Sequence, residues 1–248
     1  MALLKTYIVG LFSFTYVIID LGRYIMSKHN NTTLNMYNSG GALEYIDQNK
    51  LEPEIEKWER LFNYVEKQIQ SDKSKRIIEF GSGCGQLALM LQSAGYDITA
   101  TDTVDAFLDE LNRIGINKVK KYNFISDKYD NAFDFKADLI VSWRNPHLDM
   151  DDMKRLFDVA YNGLSDNGLF IINFQNADVH PEAELLPNGT KYNYKILEDK
   201  QTKEERFFAY YTKEDIDKLR QGLFETEEYH NEGGKEKKNW HVLTLRKK

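Results

Sequence analysis

The chain has a single cysteine, Cys84, among its 248 residues. One thiol can form no disulfide within the chain, and it offers no cysteine cluster for structural zinc. An excess of positive charge is also lacking, since 33 Lys and Arg face 39 acidic residues and the formal net charge is -6. Nucleic acid is therefore not a favoured partner. We expect a protein of a reducing compartment, with the cytoplasm as the default.

Long apolar runs are scarce as well. The uncharged stretch at residues 6–19 is shorter than the roughly 20 apolar residues that cross a bilayer, and Asp20 and Arg23 follow it. No small-residue cleavage site of a secretory signal comes after it. The favoured interpretation is an apolar segment that packs on the domain. Membrane-surface contact through residues 3–25 is a less favoured alternative, and a natural start at Met26 is a third.

Short apolar runs alternate with stretches of helical spacing through the middle of the chain. The predicted strands are residues 76–80, 97–101, 119–124, 137–143 and 169–174. Helical spacing separates them, with Leu87, Met90, Leu91 and Ala94 as one example. Such alternation predicts an α/β domain with a mainly parallel, doubly wound sheet. A ligand is expected at the carboxyl ends of its strands.

The remaining segments complete the predicted organisation. Residues 1–50 are interpreted as the apolar segment followed by a polar lid, with a loop over residues 30–50. Residues 51–248 form the main domain. Within it, residues 177–221 form a charged and aromatic insertion on the substrate side, and Thr212 is expected to cap the helix near its end.

Both ends of the main domain carry recognisable signals. Pro53 stands where the first turn of a helix accepts proline. At the other end, residues 224–230 and 240–245 read as two strands, with a turn at residues 231–234. The chain is therefore expected to finish in a β-hairpin.

A glycine-rich segment follows the first predicted strand: Glu79-Phe80-Gly81-Ser82-Gly83-Cys84-Gly85. Glycines there allow a sharp turn and close approach of a ligand to the backbone. Gln86 stands where the dinucleotide-binding fingerprint needs its third glycine, so a pyrophosphate is the less favoured ligand. Asp102 ends the second strand about 20 residues later, where a carboxylate can accept ribose hydroxyls. The pattern indicates adenosine recognition.

Residues 77–102 resemble motif I and the following acidic position of the class I S-adenosylmethionine-dependent methyltransferases. The order of elements over residues 53–248 is similar to that family, and the terminal hairpin resembles its antiparallel sixth and seventh strands. The resemblance implies a Rossmann-like, seven-stranded sheet that is mostly parallel, with S-adenosylmethionine as cofactor. It also implies methyl transfer to an oxygen or nitrogen acceptor, which we expect to be a small molecule.

The resemblance also assigns roles to individual residues. In the family, the residue matching Glu79 helps to hold the methionine ammonium, the glycines line the methionine and ribose, and the residue matching Asp102 binds the ribose hydroxyls. The adenine edge is assigned to Asp127, although Asn123 and a merely solvated Asp127 are alternatives. The implied cofactor-binding residues are Glu79, Gly81, Ser82, Gly83, Gly85, Asp102, Thr103 and Asp127. Thr103 is also expected to cap the next helix.

No catalytic residue is assigned, and no metal is required. Trp143 faces either the sulfonium or the core. His147 is an alternative general base. Asn145 and Pro146 do not extend into the N-P-P-Y loop of amino-group methyltransferases. A non-catalytic, regulatory or scaffold protein that binds S-adenosylmethionine is the main alternative from another class; a dehydrogenase and a protein-modifying methyltransferase are further ones.

Overall fold

The computed structural model describes residues 28–51, 54–198, 203–232 and 240–248. The apolar segment at residues 1–25, Pro53 and the glycines of the turn at residues 231–234 lie outside the described residues. The predictions made for them stay predictions. Within the described ranges, no helix is both long and apolar enough to span a membrane.

Helices and strands alternate along most of the described chain. The helices are α1 (Lys28–Met36), α2 (Ala42–Leu51), α3 (Ile55–Gln68), α4 (Gln86–Ser93), α5 (Asp105–Arg113), α6 (Tyr129–Ala132), α7 (Met150–Gly163) and α8 (Lys213–Arg220). A π-helical turn, Tyr37–Gly41, joins α1 to α2, and a 3-10 turn spans Ala177–Val179. The strands are β1 (Arg76–Phe80), β2 (Asp97–Asp102), β3 (Val119–Lys121), β4 (Ala137–Ser142), β5 (Leu164–Gln175), β6 (Glu184–Leu185), β7 (Lys191–Glu198), β8 (Lys203–Tyr210), β9 (Phe224–Glu232) and β10 (Trp240–Lys247).

Seven strands form one sheet in the order β3-β2-β1-β4-β5-β10-β9. The neighbours from β3 to β5 run parallel. β10 runs antiparallel to both β5 and β9. This arrangement confirms the predicted fold: Rossmann-like, mostly parallel, with an antiparallel pair of strands at the carboxyl terminus. The strand order reverses beside β1, and in open α/β sheets a crevice forms at such a reversal.

Apolar side chains cover both faces of the sheet. On one face the ring of Phe157, in α7, meets Phe170 and Phe224 edge to face, with centroid separations of 5.5 and 5.9 Å. On the other face Val65 and Leu87 pack with strand residues. Because helices cover both faces, the central strands are buried throughout, which explains their continuous apolar runs.

The insertion forms a separate antiparallel sheet of order β6-β7-β8. The amide of Ala209, in β8, donates a hydrogen bond of 2.7 Å to the carbonyl of Pro146, after β4. The small sheet is thereby attached to the loop that follows β4. The capping box predicted for α8 is confirmed, since Thr212 and Asp215 exchange hydrogen bonds between side chain and backbone.

The loop predicted over residues 30–50 is wrong, because these residues form α1, the π-helical turn and α2. Ala42 and Ile46 are buried in a cluster that includes Phe107 of α5. Gly40 bends the chain between the helices at a φ of 128°. Apolar contact with α5 stabilises helical structure in a segment whose polar composition and glycine pair suggested a loop.

Two finer expectations also fail. The third strand ends at Lys121, not at residue 124, because the chain turns after it. The amide of Asn123 donates to the carboxylate of Asp127, and the amide of Asp127 donates to the carbonyl of Asn123. Thr103 does not cap α5. Val104 is the residue before this helix, and the side chain that receives the local amides is Asp102.

The buried face of α7 makes a measurable prediction. Leu156 is fully buried, whereas Leu89 of α4 is 37% exposed. We expect Leu156→Ala to lower the free energy of unfolding by about 2–5 kcal/mol, because it removes buried methyl groups and leaves a cavity. Leu89→Ala is the matched control and should cost less than about 1 kcal/mol. Urea denaturation measures both, and equal losses would contradict this account of the core.

Candidate functional site

A cavity of about 360 Å³ lies at the carboxyl ends of the central strands. Gly81, Gly83 and Asp102 line it, and we call their part of the cavity the donor end because the resemblance assigns these residues to the cofactor. Its acceptor end is formed by His147, after β4, and by Arg206 of β8, together with neighbouring aromatic rings. The volume falls within the roughly 300–1,000 Å³ typical of small-molecule sites.

The three glycines of the loop all have positive φ, at 71° for Gly81, 53° for Gly83 and 79° for Gly85. A Cβ on Gly81 would lie 2.7 Å from Oδ1 of Asn145, and one on Gly85 would lie 2.5 Å from Cδ2 of Leu111. Gly83 has open space around it. Gly81 and Gly83 line the cavity, whereas Gly85 packs behind the loop.

Asp102 connects the glycine loop to the end of β2. Its Oδ2 accepts a hydrogen bond of 3.0 Å from the amide of Gly83. Its Oδ1 accepts bonds of 2.8 and 3.0 Å from the amides of Thr103 and Val104. Burial raises the pKa of Asp102, and the three amides oppose that rise. Because a carboxylate has about four acceptor positions, a position remains open for a ligand.

Ser82 fixes the loop from its other side. Its amide donates to the carbonyl of Thr101 at 2.8 Å, and its Oγ accepts from the amide of Thr101 at 3.1 Å. Ser82 and Thr103 both line the cavity. The structure therefore brings together five of the sequence-predicted residues at the donor end: Gly81, Ser82, Gly83, Asp102 and Thr103.

Glu79 lies behind the glycine loop and is only 3% exposed. Its Oε2 has no hydrogen-bond partner. Burial raises the pKa of Glu79 to about 8, Ser82 and the amide of Ala88 lower it, and the charge of Asp102 raises it further. The groups that shift the pKa of Glu79 include no cation. Its unpartnered oxygen could therefore accept a hydrogen bond from a positively charged ligand.

Asp127 is not brought to the cavity. Its Oδ2 accepts from the amide of Asn123 at 2.8 Å, and its Oδ1 accepts from the hydroxyl of Ser126 at 3.0 Å. Both oxygens thus serve the turn after β3. The cavity wall in this region is formed by Asn123, Phe124 and Ile125.

The loop after β4 carries a strained residue. Arg144 has a φ of 60°, which is uncommon outside glycine, and its amide donates to Oδ1 of the buried Asn173 at 2.7 Å. Next to it, Nδ2 of Asn145 donates to the carbonyl of Phe80 at 3.3 Å and to the hydroxyl of Ser142 at 2.9 Å. These contacts hold the loop against β1. Trp143 both lines the cavity and packs in the core.

His147 lines the acceptor end, and its Nδ1 is buried without a hydrogen-bond partner. Burial and the nearby charge of Arg206 lower the pKa of His147 to about 3. The imidazole is therefore neutral at physiological pH and is a weak proton acceptor. The general-base alternative for His147 gains no support from this environment. Cys84 is equally unreactive, because burial raises the pKa of its thiol to about 12.

Several cavity residues were missed at the sequence level. Tyr37 packs edge to face on Phe107 at 5.3 Å between ring centroids. The guanidinium of Arg206 lies 5.5 Å from the ring centroid of Tyr37 and 5.0 Å from that of Phe208. The aromatic pair at residues 207–208 was the available signal, but nothing in the local pattern singled out the arginine beside it.

Comparison with known proteins identifies the family of the chain. A family model described as a methyltransferase domain matches residues 50–222. The chain belongs to this methyltransferase domain family. Solved structures of similar fold hold S-adenosylmethionine or S-adenosylhomocysteine. S-adenosylmethionine is also the cofactor that the sequence resemblance implies for this chain.

Three similar proteins illustrate the relationship. An uncharacterized methyltransferase of Staphylococcus carnosus (strain TM300) is 26% identical over 145 residues, which cover 56% of this chain and 68% of that protein. An S-adenosylmethionine-dependent methyltransferase structure from Clostridium acetobutylicum ATCC 824 has a TM-score of 0.58 at 17% identity, over 84% of this chain and 99% of that one. The glycopeptide N-methyltransferase MtfA with S-adenosylhomocysteine has a TM-score of 0.54 at 13% identity, over 74% and 86%. At these identities the structures show a shared fold.

Substitutions in the glycine loop test its packing. Gly83→Ala places its Cβ in open space, so it should lower the unfolding free energy only by the cost of positive φ, which is about 1–2 kcal/mol. Gly81→Ala carries the same cost and also collides with Asn145, so we expect a loss of about 2–5 kcal/mol in unfolding free energy. Urea denaturation measures the difference. The difference between the two variants should shrink in an Asn145→Ala background. A difference that persists there would show that Asn145 is not the obstacle.

The buried Glu79 makes the stability of the ligand-free methyltransferase depend on pH. Its pKa is about 8 in the folded chain against a usual value of 4.5, so between these values the folded state binds more protons than the unfolded state. Stability from this group should therefore fall as pH rises from about 4.5 to about 8, by at most about 1.4 kcal/mol per pH unit.

Glu79→Gln should remove this component. Urea denaturation of both proteins at several values of pH between 5 and 8 provides the comparison. The variant should show a flatter dependence and gain stability relative to the wild-type protein as pH rises. Parallel curves for the two proteins would contradict the raised pKa.

Proposed function

We propose that this methyltransferase transfers the methyl group of S-adenosylmethionine to an oxygen or nitrogen of a small molecule bound at the acceptor end. One observation carries the proposal: a single cavity joins the glycine loop and Asp102 to a second region walled by β8 and the loop after β4. A donor and an acceptor can therefore be held side by side. Bound S-adenosylmethionine supplies an electrophilic methyl group.

The residues at the donor end fit this cofactor. Gly81 and Gly83 let the backbone approach the methionine and ribose, and Ser82 and Thr103 line the same wall. Asp102 retains an acceptor position for a ribose hydroxyl. The unpartnered Oε2 of Glu79 lies behind the loop, and the donor's ammonium would supply the positive charge that this oxygen lacks.

The remaining predicted cofactor residues act from behind the wall. Gly85 permits α4 to pack against Leu111, which sets the position of the loop. Asp127 closes the turn that presents Phe124 and Ile125 to the cavity, and these apolar side chains suit the adenine ring. We therefore propose that Asp127 supports adenine binding indirectly, through the turn.

Two segments of the chain, residues 28–51 and residues 177–221, enclose the acceptor end. From residues 28–51, Tyr37 and Tyr45 line the cavity, and α1 packs on β8. From the insertion at residues 177–221, Arg206 and Phe208 line it. We propose that residues 28–51 are the lid and that the insertion shapes the acceptor pocket. This enclosure and the volume of about 360 Å³ favour a small molecule over a polymer.

Methyl transfer from a sulfonium is a direct displacement, so the protein's contribution is to align the acceptor with the methyl group and to exclude water. Among the described residues that line the cavity, the titratable candidates for a base are poor. Asp102 is engaged at the donor end, and His147 is weakly basic. We therefore propose an acceptor that presents a free lone pair on arrival, such as a neutral amine or an ionised oxygen.

The donor end is tested by Asp102→Asn. Loss of the charged acceptor should weaken the binding of S-adenosylhomocysteine by about 10- to 100-fold, which corresponds to one charge-assisted hydrogen bond. The control is Asp105→Asn. The carboxylate of Asp105 is 78% exposed and pairs with Lys121 outside the cavity. Isothermal titration calorimetry measures the dissociation constants.

Thermal unfolding without ligand shows whether the loop survives the substitution, since the Asp102 side chain also receives three amides. A folded Asp102→Asn protein that binds S-adenosylhomocysteine as tightly as the wild-type protein would refute the assignment of Asp102. An equal loss in the Asp105 control would indicate a general effect of charge instead.

A further inference from the structure

Trp240, the first residue of β10, lines the cavity with a large ring that the core does not use. The side chain is half-buried. Among the described residues, it belongs to none of the hydrophobic clusters, and its ring pairs with no other aromatic ring. The guanidinium of Arg144 lies 6.0 Å from the ring centroid. A flat apolar surface left open inside a cavity is typical of a ligand-binding wall.

The sheet separates Trp240 from the residues of the donor end. Trp240 pairs with Gln175 at the end of β5, so β10 lies three strand spacings from β1 and four from β2. At about 4.8 Å for each spacing, these separations are about 14 and 19 Å. A donor whose ribose binds Asp102 and whose ammonium faces Glu79 lies over β2 and β1, with its adenine toward β3. Its adenine ring therefore does not cover Trp240.

Helix α3 covers β10 and brings a second tryptophan to the cavity. The hydroxyls of Tyr64, in α3, and Thr244, in β10, are hydrogen-bonded at 2.7 Å. Trp58 lies earlier in the same helix and lines the cavity. Its indole N–H is buried without a hydrogen-bond partner. Since buried indole N–H groups usually have a partner, this donor is available to an acceptor atom of a ligand.

The polar groups near Trp240 carry no net charge. The guanidinium of Arg144 is neutralised by Glu54, at 3.1 Å. The side chain of Gln175 lines the cavity and forms no hydrogen bond with any described residue. An amide and an indole N–H can satisfy one polar substituent, whereas a buried sugar needs a partner for each of its hydroxyls. This part of the cavity therefore suits an uncharged, flat molecule.

We propose that the methyl acceptor is an uncharged aromatic or heteroaromatic molecule whose ring stacks on Trp240, while Gln175 and the indole N–H of Trp58 bind its polar substituent. This inference rests on the proposed function. It also fits the poor bases of the cavity. An amine attached to an aromatic ring is uncharged at physiological pH, because the ring lowers its basicity, and it presents a lone pair without help from a base.

The experiment measures probe binding by calorimetry on the full chain saturated with S-adenosylhomocysteine, which fills the adenine site and leaves the acceptor end open. The probes are benzamide and cyclohexanecarboxamide, which share an amide and differ in the flatness of the ring, and methyl glucoside as an uncharged sugar. We expect benzamide to bind the wild-type protein about 2- to 12-fold more tightly than cyclohexanecarboxamide, because only the aromatic ring stacks on an indole. Methyl glucoside should bind more weakly than benzamide.

The variants assign the preference to one side chain. Trp240→Leu should abolish the preference for benzamide, since leucine keeps an apolar surface but has no aromatic face. Trp240→Phe should keep part of it, because a smaller ring remains. Phe135→Leu is the matched control: Phe135 is a half-buried ring outside the cavity, 5.0 Å from the guanidinium of Arg76, and its loss should leave the preference unchanged.

Three results would overturn the inference while S-adenosylhomocysteine still binds. They are equal affinity of the wild-type protein for benzamide and cyclohexanecarboxamide, tighter binding of methyl glucoside than of benzamide, and an undiminished preference in Trp240→Leu. If Trp240→Leu does not fold, Trp240→Ile takes its place, because isoleucine suits a strand and also lacks an aromatic face. Failure of the wild-type protein to bind S-adenosylhomocysteine would refute the proposed function itself, and this inference with it.

Discussion

The carboxylate of Asp102 is the contact on which the donor end depends. It receives the amide of Gly83 from the glycine loop and the amides of Thr103 and Val104 from the entry to α5. All of these groups are buried or nearly so, and a buried amide without an acceptor costs about 1–3 kcal/mol. One side chain therefore fixes the loop after β1 and the start of α5 relative to each other. The same side chain presents its charge to the cavity.

The parts of the structure that local sequence specifies were predictable. Residues 139–141 of β4 and 169–172 of β5 are continuous apolar runs because helices cover both faces of these strands. The positive φ values of Gly81, Gly83 and Gly85 explain why glycine occupies those positions. Asp102 follows at the end of the neighbouring strand, so its distance from the loop is set by one strand, one helix and one turn. The capping box of Thr212 is equally local, since it involves residues three apart.

One error arose where a partner distant in sequence decides the outcome, and two arose where a nearby carboxylate accepts the local amides. Residues 28–51 are polar and contain two adjacent glycines, yet Ala42 and Ile46 become buried against Phe107 and so stabilise helices. Asp127 ends the strand early by accepting a hydrogen bond from the amide of Asn123. The sequence does not show which backbone amide a loop carboxylate will accept from. Thr103 lost its expected capping role because Asp102, one residue earlier, receives the same amides.

The acceptor end has only weak local signals, namely His147 and the aromatic pair at residues 207–208. Tyr37, His147 and Arg206 come from three separate segments, and they meet because α1 packs on β8 and because Ala209 bonds to Pro146. The partners of Asp102, by contrast, all lie within residues 83–104. A substitution in α1 or β8 can therefore change what the acceptor end binds without disturbing the hydrogen bonds that hold the donor end. This separation explains why the sequence predicted residues of the donor end, whereas Tyr37 and Arg206 become visible as cavity residues only in the folded structure.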